Sequence, residues 1–332
     1  MKYTKALSLT RLAYDLENLL SPSLGAALLL VVSHDTLFVA NGVLFLVSGG
    51  LIATAPSLQP ALQGSSSSPL SRVKRGLWMY LQTPRLRSLV ALSLSVSAIG
   101  AMVIVNTVSL VRVELGLSES AMALATALFG AGSMASALLL PRLLERYSEA
   151  VVMRSGIALA AVALSAFVWI PVRYPELLGA WFVAGAGTSA ATTPSGRLLR
   201  RSTHAESQTE VFAAHFSLSH LCWLVTYPLA GWLWFTGPRV AFGCLTAIAA
   251  GGLAVSILLW RRHDELAIAH THEECVHSHA HFHDSHHSHA HPALQPSPPE
   301  KERPHQHEHR HERIRHAHPI VVDDHHPVWP RG

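Results

Sequence analysis

The sequence predicts an all-α integral membrane protein, with eight membrane-crossing helices followed by a disordered histidine-rich tail. Three observations carry this expectation. Hydrophobic residues make up 49% of the 332 and charged residues only 14%, and mean hydropathy stays positive at +0.28 with the polar tail included. Apolar stretches recur at the ~20 residues that a hydrocarbon core requires. Of the 23 histidines, 19 lie beyond residue 262, between His263 and His326.

The elements follow in order. A first span over 12–33 carries Asp15, Glu17 and Asn18 in its first two turns, and a second covers 36–56. The connection 57–87 contains Ser65-Ser66-Ser67-Ser68-Pro69 and then a basic stretch, a linker composition. Further spans are expected at 88–110, 121–140, 177–195, 211–235 and 240–260; 151–172 joins them if Arg154 snorkels to the interface. Residues 263–332 alternate His with small or charged residues and contain Pro296-Ser297-Pro298-Pro299, a composition that builds no packed core.

Basic residues set the direction. Lys2, Lys5 and Arg11 precede the first span, none lies in the next loop, and Arg72, Lys74, Arg75, Arg85 and Arg87 follow the second. Arg112, Arg173 and Arg239 stand alone in alternate loops, whereas Arg142, Arg146 and Arg154, then Arg197, Arg200 and Arg201, cluster in the others. The positive-inside rule then puts both termini in the cytoplasm of a cell whose inner (plasma) membrane the chain crosses. The N-terminus shows no signal-peptide pattern. Cys222, Cys244 and Cys275 make no disulfide framework, and the net charge of +4 comes from loops and tail, so it reports topology rather than nucleic acid.

Candidate sites divide between tail and body. In the tail, His270, His272, His277, His279, His281, His283, His286, His287, His289, His291, His305, His307, His309, His311, His316 and His318 form a dense imidazole array. Imidazole suits Ni, Zn, Co and Cu, and pairs at i, i+2 share a face when extended, so a divalent transition metal is the expected partner. In the body, an ionisable group at mid-membrane costs about 2.5–3.5 kcal/mol on insertion scales and is a functional candidate by default. Asp15, Glu17, Asn18, Asn106, His215, His220 and Cys222 are the candidates for a transport pathway. At 100° per residue His215, Ser219 and Cys222 fall on one face, with His220 turned away. The other reading of these groups is structural: carboxylates at a helix start, imidazoles bonded between helices, a small buried thiol. No phosphate-binding loop and no His-Glu-x-x-His helix appears, so neither an enzyme nor a bound cofactor is expected.

Several of these segments resemble a known family. Six spans behind a long basic loop are similar to the C-terminal half of a major facilitator superfamily transporter, and 1–56 then corresponds to the last two helices of the N-terminal half, with four helices ahead of them in a full carrier. Leu140-Pro141-Arg142-Leu143-Leu144-Glu145-Arg146 resembles that superfamily's short cytoplasmic signature, and Ser21-Pro22-Ser23-Leu24-Gly25 resembles the end of its antiporter motif, with Ser21 in place of a glycine. The blocks 11–18 and 215–223, together with the His-rich tail, are similar to bacterial nickel-resistance permeases. The resemblance implies a linker at 57–87, a six-helix unit at 88–262, and export of a divalent metal, nickel first, in exchange for protons. Two other readings stay open: export of a small organic solute or siderophore, or a membrane-tethered metal buffer that does not transport.

Overall fold

The computed structural model describes residues 32–54, 68–204 and 207–260, together with four strands in the tail: β1 (Ile268–His272), β2 (Cys275–His281), β3 (His305–His311) and β4 (Ile314–His318). The helices among the described residues are α1 (His34–Thr54), α2 (Pro69–Gln82), α3 (Pro84–Val108), α4 (Glu119–Arg146), α5 (Glu149–Trp169), α6 (Tyr174–Thr192), α7 (Ser195–Arg201), α8 (Gln208–Thr236) and α9 (Pro238–Leu259). The expected first span, with Asp15, Glu17 and Asn18, lies outside the described residues. Each of the other seven expected spans coincides with one of the long helices. Among the described residues, four segments are long and apolar enough to cross a membrane by length and composition: Pro84–Glu114, Glu119–Arg146, Glu149–Trp169 and Pro238–Leu259.

Local sequence explains where these helices start and stop. Proline opens α2, α3, α6 and α9, where its missing N–H is one of the donors a helix leaves free in any case. Ser68 and Ser118 cap α2 and α4, each hydroxyl accepting from the backbone N–H three residues on at 3.3 Å. Gly237, with φ at +126°, makes the sharp turn between α8 and α9 that an L side chain would resist. Within the expected 57–87 connection, residues 69–82 form α2. Its Arg72, Lys74 and Arg75 are exposed, whereas Met79 and Tyr80 are buried against the bundle.

The six long helices from α3 to α9 form one bundle with α3 at its centre, packed on α5, α6, α8 and α9. Two hydroxyls tie α3 to α9: Ser88 Oγ lies 2.7 Å from Ser256 Oγ, and Ser95 Oγ donates to the Ala249 carbonyl at 2.8 Å. On the other side, Trp181 of α6 is fully buried and its indole N–H donates to Thr107 Oγ1 of α3 at 2.8 Å. Small residues let α6 approach its neighbours backbone to backbone, as packing inside a membrane demands. A Cβ on Gly185 would overlap the Phe129 carbonyl of α4, and one on Gly156 of α5 would stand 2.7 Å from the Gly187 carbonyl. Arg154, expected to snorkel, instead turns to the end of α9, where Nη2 donates to the Ser256 and Trp260 carbonyls at 2.7 Å each.

In the tail the structure describes four strands. β1 pairs with β4 and β2 with β3, both antiparallel and in one continuous register. Histidine alternating with Ser, Ala, Gln or Thr has the period of two that a strand requires, and that periodicity competes with the disorder its composition favours.

Candidate functional site

The bundle contains a cavity of about 140 Å³ lined by α3 (Leu89, Leu92, Ser93, Val96), the end of α6 with its following turn (Ala191, Thr192, Ser195) and α8 (His215, Ser219, Trp223). The helix α6 gives way there because Pro194 follows Thr192 by two residues and cannot continue the hydrogen-bond ladder. Four hydroxyls face this space, and each spends its single proton on a carbonyl of its own helix or turn. Ser93 donates to Leu89, Thr192 to Thr188, Ser195 to Thr192 and Ser219 to Phe216, at 2.9, 3.0, 2.6 and 2.9 Å. What they have left to offer an occupant is oxygen lone pairs. That suits a cation, or the water shell of one, better than an anion.

His215 is the one titratable group in the lining. Its Nδ1 lies 2.9 Å from the hydroxyl of Tyr80, and the two rings stack with centroids 5.9 Å apart. Tyr80 is fully buried on α2; burial, and to a lesser extent Cys222, raises its hydroxyl far above the ordinary phenol range, so it keeps its proton. A buried donor left without an acceptor costs about 1–3 kcal/mol. This favours the arrangement in which Tyr80 donates to Nδ1 and the ring proton of His215 sits on Nε2. His220 is set the opposite way: its Nδ1 lies 2.8 Å from the Phe216 carbonyl, which can only accept, so Nδ1 carries the proton and the Nε2 lone pair is free. Its ring packs on Phe216 with centroids 3.9 Å apart, and the side chain is exposed outside the cavity.

The structure therefore separates the residues that sequence reasoning grouped. His215 and Ser219 share the cavity as expected, and His220 is turned away as expected. Cys222 falls on the far side of α3, in a groove with Arg87 and Val90. Asn106 is buried and bridges helices, its Nδ2 donating to the Ala230 carbonyl at 3.4 Å and contacting Met102 Sδ at 3.3 Å; it does not line the cavity. Among the described residues no group of three or more His, Cys, Asp or Glu comes together as a metal site. In the tail, the strand register sets His270 opposite His316, His277 opposite His309, His279 opposite His307, His281 opposite His305 and Cys275 opposite His311. His272 and His318 are in register with Ile314 and Ile268; His283, His286, His287, His289 and His291 lie outside the described residues.

Two features escaped the sequence reading. Tyr80 lay in what read as a linker, although the burial side of α2, Gly76 with Met79 and Tyr80, recurs at helical spacing. Glu149 opens α5, 4% exposed, with Oε1 3.0 Å from Arg197 Nε and Oε2 3.1 Å from Arg201 Nη1. The Arg197 contact lies off the N–H direction, so Oε1 has charge compensation without a directed hydrogen bond. This ion pair fastens α5 to α7, on the stretch that leads into α8. Arg85 strengthens the same end, donating to the Arg201 carbonyl at 3.2 Å.

No curated protein matches the chain. The sequence profile of the Major Facilitator Superfamily matches residues 90–282, which run from α3 through the last helix and into the tail. A six-helix bundle with a cavity between α3, α6 and α8, and a match over more than half its length, place this chain in the Major Facilitator Superfamily as a multi-pass membrane transporter.

Proposed function

We propose that the protein exports a divalent transition-metal ion, nickel first among them, across the cell's inner membrane in exchange for protons, and that the tail gathers the ion on the cytoplasmic side. The single observation that carries this reading is the concentration of 19 of the 23 histidines behind the transporter body. The strand register supports it, since it pairs His270 with His316, His277 with His309, His279 with His307 and His281 with His305. The oxygen lone pairs of Ser93, Thr192, Ser195 and Ser219 support passage of a cation through the body. Capture and passage then use different chemistry: imidazole nitrogen in the tail, hydroxyl oxygen and weaker binding in the cavity. In this account His215 receives the counter-transported proton on Nδ1, the Tyr80 hydroxyl turning to accept from it, and Asp15, Glu17 and Asn18 belong to the same route, with His220 outside the cavity at its approach.

Everted membrane vesicles test the reading. Nickel uptake driven by an inside-acid gradient, retained in part when the tail histidines are replaced by alanine, is the expected result. Nickel binding without uptake would make the chain a membrane-tethered buffer. The absence of a multi-ligand metal cluster among the described residues of the body favours one further alternative, export of an organic solute with the tail as regulator. Uptake of such a solute with no nickel present would establish it.

A further inference from the structure

On the face of α3 opposite the cavity runs an open groove of about 500 Å³, lined by Arg87, Val90, Ala91 and Leu94 of α3, Ile248, Gly251, Gly252 and Val255 of α9, and Cys222 of α8. The two helices run antiparallel, as the Ser88–Ser256 and Ser95–Ala249 contacts require, so Arg87 and Val255 mark one end and Leu94 and Ile248 the other. Seven residues at a rise of about 1.5 Å make the groove roughly 10 Å long. Its adjacent glycines play different parts. A Cβ on Gly252 would press within 2.5 Å of the Ala91 carbonyl, so this glycine lets α9 seat on α3. A Cβ on Gly251 would meet nothing within 4 Å; this position leaves the floor of the groove open.

Chemically the groove is one-sided. Its lining is apolar except for Arg87, an exposed residue one turn inside the start of α3, and no Asp or Glu contributes to it. The same end of the bundle holds Arg85 and Arg154, both engaged with the protein. Both walls, α3 and α9, belong to segments long and apolar enough to cross a membrane. Water has no polar partners along such a floor and an acyl chain fits it, while the guanidinium at the mouth matches a lipid phosphate.

We propose that this groove is a binding site for an anionic phospholipid, with one acyl chain laid between α3 and α9 and its phosphate on Arg87. The inference needs only the membrane placement of α3 and α9, and it stands or falls separately from the identity of the transported solute. Cys222 then borders a lipid chain, and its sequence-based assignment to the ion pathway is replaced.

The test is native mass spectrometry of the full-length chain, titrated with phosphatidylglycerol and with phosphatidylcholine after extraction in mild detergent. The wild-type chain is expected to retain one phosphatidylglycerol in preference to phosphatidylcholine. Arg87→Gln, at an exposed position, should reduce that preference about fivefold. Gly251→Leu, which fills open space, should abolish retention of both lipids while leaving the melting temperature unchanged. Equal retention of the two lipids by the wild type, or an unchanged preference in Arg87→Gln, overturns the proposal whether or not Gly251→Leu folds. Disulfide cross-linking of Gly251→Cys to Val43→Cys in α1 also overturns it, because that helix would then be the occupant.

Discussion

Gly156→Ala gives a direct reading of how tightly the bundle is drawn around the cavity. The added Cβ would stand 2.7 Å from the Gly187 carbonyl and 2.8 Å from Ala190 Cβ, whereas ordinary contact begins at 3.4 Å. The shortfall of about 0.7 Å cannot be absorbed by a side chain, because the nearest atom is backbone and the next is the first atom of Ala190. The helix α6 cannot retreat either, since its Gly185 already rests on the Phe129 carbonyl of α4. Overpacking of this kind costs about 1–3 kcal/mol, and a site clamped from both sides belongs at the upper end. At roughly 2–4 °C per kcal/mol for a body of this size, the variant should melt about 6–12 °C below the wild type, followed by tryptophan fluorescence in detergent. Gly179→Ala on the same α6, where a Cβ meets nothing within 4 Å, serves as the control and should melt with the wild type or slightly above it. Equal melting of Gly156→Ala and Gly179→Ala would refute the backbone contact between α5 and α6.

Three other perturbations test the site. Tyr80→Phe removes the hydroxyl that holds the His215 proton on Nε2, and with it the penalty of about 1–3 kcal/mol on exposing a lone pair there. Inhibition of flux by copper should then strengthen roughly five- to hundredfold, and unchanged inhibition would contradict the tautomer assignment. Glu149→Gln leaves Arg197 and Arg201 without their counter-charge; because those side chains are 65% and 34% exposed, solvent compensates in part and the loss should be about 1–2 kcal/mol, read as a drop in melting temperature. Nickel binding to the full chain should fall steeply between about pH 7.5 and 5.5, as imidazoles of ordinary pKa near ~6.5 take up the protons that block metal binding. Equilibrium dialysis measures it, and flat binding across that window would remove the tail imidazoles as ligands.

Much of the body was legible because apolar runs of membrane length are a strong, local signal. The helices α3, α4, α5 and α9 announce themselves this way. What sequence could not supply was the placing of one helix against another. Helical phase put Cys222 within 20° of His215, yet the two line different hollows, on opposite faces of α3. Asn106 read as a pathway residue because a polar group in a span is costly; its actual partner, the Ala230 carbonyl, is 124 residues away. Glu149 carried no signal in the sequence, because only the fold of α7 against it brings two guanidinium groups to its carboxylate. In the tail the period-two alternation of histidine suits an extended chain, and residues 275–281 and 305–311 pair as antiparallel strands.

The central claim is that metal leaves and protons enter through one carrier. Reconstituted into liposomes with a pH dye inside, the full-length chain should carry external nickel inward down its gradient and alkalise the lumen in step. The movement should be abolished in His215→Ala and preserved, at lower apparent affinity, when the tail histidines are replaced. Nickel entry without any change in luminal pH, or a pH response that ignores nickel altogether, would contradict it.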